Sequence, residues 1–124
     1  MTTYRSKSKY GAKKVVRDGM TFDSQIEYKR YCELLLLQRA GAIHDLKRQV
    51  EFELIPAQFE QSNGKKRGKC LERAVKYVAD FVYRDVDTNK TIVEDTKGFK
   101  TKDYIIKRKL MLWVHGIRIN EVTK

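Results

Sequence analysis

Residues 73–97 (RAVKYVADFVYRDVDTNKTIVEDTK) place two alternating runs on either side of a turn, and this pair constrains the chain more than any other stretch. In the first run Val75, Tyr77, Ala79, Phe81 and Tyr83 fall on one face, and Ala74, Lys76, Val78, Asp80 and Val82 on the other. Asp85 to Lys90 reads as the turn, and residues 91–97 as the returning strand. Because strand side chains alternate, Val93, Asp95 and Lys97 share a face and Glu94 points the other way. Asp80 is an acid in an otherwise apolar strand, where an unpaired buried carboxylate would cost several kcal/mol. Pairing of the two strands across the turn lets Asp80, Asp95 and Lys97 converge.

The rest of the chain supplies partners for that hairpin. Ser24-Gln25-Ile26-Glu27 reads as a capping box, with Ser24 as N-cap, and predicts a helix to about Ala40 with Gly41 as its stop. Glu27 lies one turn before Tyr31 and two before Leu34 and Leu35, on or beside the buried face. Residues 48–55 (RQVEFELI) alternate as a strand ended by Pro56, and a long polar connection containing GKKRGK follows. Thr101 can cap a second helix reaching His115, with Gly116 as terminator, and residues 117–122 form a last strand. In that helix Tyr104, Lys107 and Arg108 share a stripe. The order is α-β-β-β-α-β: an α/β (α+β) domain over residues 21–124, preceded by a basic flexible arm, residues 1–20.

Charge narrows the class of partner. The chain has 27 Lys and Arg against 16 Asp and Glu, a net +11 over 124 residues. Residues 1–20, 61–76 and 97–109 each carry six basic residues and one acid, so the remainder is mildly acidic. Three such segments favour a polyanion, with nucleic acid first. Tyr4 and Tyr10 interleave with the lysines of the arm, which suits backbone contacts and base stacking. No apolar run approaches the roughly 18–20 residues of a membrane span, and residues 1–20 lack the apolar stretch of a signal peptide. Two cysteines and two histidines, none in a CxxC, cannot assemble a zinc cluster.

The acids admit two readings. A lone Asp-x-Lys is usually a cross-strand salt bridge, and a capping box accounts for Glu27 by itself. Two carboxylates held close together otherwise need a cation between them, and oxygen-only ligation selects a hard ion such as Mg²⁺.

The segments FDSQIEYKRYCELLLLQRAGAI, DLKRQVEFEL, VKYVADFVY and IVEDTKGFKTKDYIIKRKLML resemble the PD-(D/E)XK nuclease superfamily. More narrowly, the chain looks like a family of small phage proteins placed there, similar in fold to the Holliday-junction-resolvase branch. The resemblance covers about residues 20–115. It implies a restriction-endonuclease-like core with a central mixed sheet flanked by helices. Asp80 would be the motif's first acid, Asp95 its second and Lys97 its lysine. Glu27 would be the additional helix carboxylate, and Gln49 a supporting polar residue. Ala79 stands where the motif name has Pro.

The implied activity is Mg²⁺-dependent hydrolysis of DNA phosphodiesters, with Mn²⁺ able to substitute. Asp80, Asp95 and Glu27 would hold the metal and Lys97 would orient water or neutralise phosphate. The implied substrates are branched or flapped recombination and replication intermediates, which suit a homodimer. Lys65, Lys66, Arg67 and Lys69 of the GKKRGK loop, with Lys100, Lys102, Tyr104, Lys107 and Arg108, would contact the DNA backbone. The expected location is the cytoplasm, the host's if the protein is phage-encoded. Two other classes stay open. One is a non-catalytic nucleic-acid-binding module on the same scaffold, and the other a protein that captures an acidic partner.

Overall fold

The computed structural model of the protein describes residues 14–62, 64 and 66–123. Most of the N-terminal arm, with Tyr4 and Tyr10, and Lys65 lie outside the described residues.

The arm as read from the sequence reaches Met20, but its last residues belong to a hairpin. β1 (Val15–Arg17) pairs antiparallel with β2 (Met20–Phe22). Asp18 and Gly19 between them have φ of 53° and 79°, the two left-handed residues that a tight hairpin turn demands. Val15 and Phe22 turn inward and anchor this hairpin.

α1 (Gln25–Arg39) starts where the capping box predicts. The Ser24 side chain accepts a hydrogen bond from the Glu27 backbone N–H, and Gly41 past the far end takes φ 86°. β3 (Ile43–Ile55) begins five residues before the predicted 48, because Asp45 at φ 59° and a register shift between His44 and Lys47 interrupt the alternation without ending the strand. β4 (Gln58–Phe59) and β5 (Cys70–Glu72) form a separate two-stranded ribbon within the predicted polar connection. β6 (Val75–Asp85) and β7 (Thr91–Thr96) are the expected hairpin. α2 (Lys102–His115) is capped by the Thr101 side chain and closed by Gly116 at φ 68°. β8 (Asn120–Val122) is shorter than predicted, the segment before it burying Ile119 without pairing.

The central sheet has the order β3-β6-β7-β8, with the first three strands antiparallel and β8 parallel to β7. Its strands and the two helices therefore follow one another as α-β-β-β-α-β, a mixed α+β fold. Alternation on β7 separates the helices. Glu94 meets Arg30 of α1, while Val93 packs in the cluster of Leu54, Tyr77, Ala79, Tyr104, Met111 and Ile119 under α2. Leu34, Ile43, Phe81 and Tyr83 form the second cluster, against α1. No helix among the described residues is long and apolar enough to cross a membrane.

The expected common face of Val75, Tyr77, Ala79, Phe81 and Tyr83 does not hold along the whole of β6. Tyr77 and Ala79 pack with α2, whereas Phe81 and Tyr83 pack with α1. Ala79, Asp80 and Phe81 are consequently buried in succession. On β3, between the partners of Ala79 and Phe81, Gln49 has φ 53°, so the strand pair bends there without losing register. The bend sets Asp80 between the two layers instead of on either open face.

Candidate functional site

Four elements meet at that bend. α1 contributes Glu27, fully buried in its first turn. A capping box would send the Glu27 carboxylate back to the N–H of Ser24 itself. Instead Oε1 accepts from the Asp23 N–H at 2.6 Å, which leaves Oε2 to accept from Gln49 Nε2 at 3.0 Å. The left-handed backbone at Gln49 aims its side chain at this point, and the same Nε2 is 3.5 Å from Asp80 Oδ1. The other oxygen of Asp80, Oδ2, accepts from both the backbone N–H and the hydroxyl of Thr96, at 2.9 and 2.8 Å.

Thr96 lies between Asp95 and Lys97, so the end of β7 that seats Asp80 also presents these two residues. Asp95 Oδ2 accepts from the buried Tyr77 hydroxyl at 2.6 Å, and Oδ1 is 3.3 Å from Lys97 Nζ. Lys97 Nζ lies 4.5 Å from the centre of the Tyr104 ring, a cation over an aromatic face. Arg48 closes the opposite side. Its guanidinium lies 4.1 Å from the centre of the Phe22 ring, donates to Thr21 O at 2.8 Å, and has Nη2 4.0 Å from Glu27 Oε2. Arg48 thus ties the N-terminal hairpin to the acid cluster.

Packing this many carboxyls out of water favours their protonated forms. Burial first, then the neighbouring Asp80 charge, push Glu27 up to about 7, with the Asp23 N–H and Arg48 pulling the other way. Burial and then Asp80 likewise push Asp95 up to about 7, against the Tyr77 hydroxyl and Lys97. Burial, then the charge of Asp95, raises the Tyr77 phenol further above its ordinary range, so Tyr77 stays a donor.

The structure brings together Glu27, Gln49, Asp80, Asp95 and Lys97. It adds one residue that the sequence reading missed. Carboxylate oxygens of Asp23, Glu27 and Asp80 all lie within 4.8 Å of one another, and Asp23 is exposed at the mouth. The available signal was an acid directly before the N-cap of a capping box. Its approach to Asp80, 57 residues away in the chain, is a tertiary contact that no local pattern shows. The donor set suits a hard divalent cation: it is all oxygen, held by rigid elements, and self-repelling without a positive charge.

Glu94 has a different occupation. It is fully buried on the α1 face, accepts from Arg30 at 2.9 and 2.7 Å and from the Tyr83 hydroxyl, and takes no part in the site.

The residues expected to touch DNA divide. Lys66, Arg67 and Lys69 are exposed on the β4–β5 ribbon. Lys102 is exposed at the start of α2 and Lys107 is half-buried. Tyr104 is not on a shared outer stripe: it is buried on the inner face of α2, and its hydroxyl donates to Glu121 at 2.6 Å. Its position, two turns before the buried Met111, puts it on the core side of the helix. Lys100 and Arg108 also pair with Glu121, at 3.7 and 3.0 Å.

A search of the curated proteins finds no match to this chain, and a search of the solved structures finds none either. A family model described as "Protein of unknown function (DUF1064)" matches residues 7–121, nearly the whole length, and the chain belongs to that family.

Proposed function

We propose that the chain is a metal-dependent DNA endonuclease with a restriction-endonuclease-like core of the PD-(D/E)XK type. The observation that carries this reading is the convergence of Glu27, Asp80, Asp95 and Lys97, from α1, β6 and the β7 end, on one buried acidic point. A structural salt bridge needs one acid and one base. Here Asp80 stands between two further buried acids, Glu27 and Asp95, both pushed up to about 7, while Lys97 pairs with Asp95 and Arg48 reaches only Glu27, at 4.0 Å.

Asp80, Asp95 and Glu27 would hold Mg²⁺, or Mn²⁺ in its place, with Asp23 at the rim. When bound, the ion supplies a more acidic water and offsets charge on the transferring phosphoryl group. The chain's own groups do the rest. Thr96 and Gln49 orient the two oxygens of Asp80, and Tyr77 fixes Asp95 by one oxygen. Lys97, a compact point charge seated over Tyr104, orients water or neutralises the scissile phosphate. The sequence of neither helix carries a base-reading pattern, so structure-selective cutting of branched or flapped DNA is the favoured substrate class. A homodimer resembling Holliday-junction resolvases fits a two-fold junction.

The test is cleavage of labelled four-way junction, flap, single-stranded and linear duplex DNA in Mg²⁺, Mn²⁺ or EDTA, with Asp80→Ala and Lys97→Ala beside the wild type. Metal-dependent cutting lost in both variants, with DNA binding retained, is the expected result. DNA that is bound but never cut in any metal overturns it. That outcome favours the binding-module reading, in which the 3.3 Å Asp95–Lys97 pair is structural.

A further inference from the structure

The chain between β3 and β6 is a folded arm with unpaired basic charge. β4 and β5 pair antiparallel, and the Glu60 N–H donates to Lys69 O at 2.8 Å. At Gly68 a Cβ would stand 2.2 Å from the Glu60 carbonyl oxygen, so the close crossing of the two chains requires glycine there. The Arg67 guanidinium is seated on Phe59, 4.3 Å from the ring centre. Residues 58–73 hold five basic residues against two acids. None of the ion pairs among the described residues involves Lys66, Arg67 or Lys69. Near α2, Lys100 and Arg108 are occupied by Glu121, whereas no ion pair among the described residues involves Lys102, Lys107 or Lys109.

The arm's position gives that charge a use. It emerges where Ile55 pairs with Val75, at one end of the two strands that carry Gln49 and Asp80. Asp80 is five residues from Val75 along β6, about 16 Å at the usual strand rise. By chain length the basic residues Lys66, Arg67 and Lys69 stand no farther than about 46 Å from Asp80, about fourteen base pairs of B-form duplex. A two-stranded ribbon is of a size to enter the major groove, and lysine and arginine contacts to phosphate fix position without reading sequence. Single strands are instead held by stacking on exposed aromatics. The sole aromatic in residues 58–73 is Phe59, already beneath Arg67.

We propose that the β4–β5 ribbon is a duplex grip, holding the DNA backbone on one side of the acid cluster through Lys66, Arg67 and Lys69. The chain then requires a double-stranded flank of up to about fourteen base pairs on that side of the cut. The inference rests on the reading of Glu27, Asp80, Asp95 and Lys97 as the place where the strand is cut.

Fluorescence anisotropy in EDTA tests it, with the full chain and flap DNAs whose flank is about 20 or about 5 base pairs. The variants are the triple Lys66→Ala, Arg67→Ala, Lys69→Ala and the single Lys66→Glu, each checked for an unchanged melting temperature. The wild type is expected to bind the short flank about tenfold more weakly, and the triple variant to differ between flanks by less than about twofold. The salt dependence of log K should flatten by about 2 to 3 in the triple variant, near 0.9 for each phosphate no longer neutralised. An unchanged salt slope in both variants, or an equal drop in single-strand binding, overturns the proposal. Wild-type protein that binds no DNA overturns it together with the nuclease reading. Flank-dependent binding in a protein that never cuts supports the grip and sinks only the nuclease.

Discussion

Thr96 gives Asp80 Oδ2 two hydrogen bonds at once, from its backbone N–H at 2.9 Å and its hydroxyl at 2.8 Å. One oxygen of the carboxylate is thereby committed to β7, and the other, Oδ1, is left toward Gln49 and Glu27. Thr96, between Asp95 and Lys97, is therefore the clamp that orients Asp80. Replacing Thr96 with Val keeps the β-branched shape and the N–H but removes the hydroxyl. The expected cost is about 1–2 kcal/mol of stability, read as a lower urea midpoint at unchanged slope, together with weaker Mg²⁺ binding by calorimetry. Wild-type metal affinity in that variant would show that the hydroxyl does not orient Asp80.

Stability should fall with rising pH when metal is absent. Glu27 and Asp95 are both pushed up to about 7 in the folded chain, whereas ordinary Glu and Asp release their protons near about 4. Between those values the folded state binds more protons than the unfolded one, so folding weakens as pH rises through the window. In chelator, the melting temperature is expected to be higher at about pH 5 than at about pH 8, with Glu27→Gln and Asp95→Asn each flattening the dependence. Added Mg²⁺ should raise melting more at the higher pH, where the carboxyls are ionised. A slope untouched by both variants would mean that other groups set it.

Glu94 and Asp95 are neighbours with opposite expected behaviour. Glu94 is an uncompensated charge once Arg30 is gone, because the pair and the Tyr83 hydroxyl supply all of its described partners. Arg30→Met is expected to cost about 3–5 kcal/mol, and the double variant Arg30→Met, Glu94→Gln to recover a large part of it. Asp95→Asn is expected to leave metal-free stability at about pH 8 equal or higher, while reducing Mg²⁺ binding. Chemical denaturation and calorimetry on the same set of proteins separate the two acids. Equal destabilisation by both would contradict this division of roles.

Local chemistry made several elements readable. Ser24 and Glu27 announce α1, Thr101 and Gly116 bound α2, and the turn at residues 85–90 joins two strands that do pair. Asp18-Gly19 is also a hairpin signal, but the basic residues around it read as a tail. The departures in β3 and β6 share one physical cause, backbone that leaves its regular path at residues whose identity does not demand it. Asp45 and Gln49 take left-handed φ inside β3, and neither is a glycine. The strand continues through Asp45 to Ile43, and at Gln49 the buried side of the paired β6 passes from the α2 layer to the α1 layer. Pairing of Asp95 with Lys97 follows from simple alternation and was legible. The joint position of Glu27 and Asp80 needed the third dimension.

Tyr104 is buried beneath Lys97 and does not present its ring to the surface. Its ring lies under Lys97 Nζ at 4.5 Å, and its hydroxyl is held by Glu121 at 2.6 Å, so it faces the core of α2. Tyr104→Phe preserves the ring and removes the hydroxyl bond. It is expected to cost about 1 kcal/mol in stability and to change DNA affinity by less than about twofold. Tyr104→Leu removes the aromatic face as well, so Lys97 is left without its seat and any DNA cleavage should fall further than with Phe. Anisotropy binding and cleavage measured on both variants decide the matter. A large drop in affinity for Tyr104→Phe, with folding intact, would instead make the hydroxyl a direct partner of DNA.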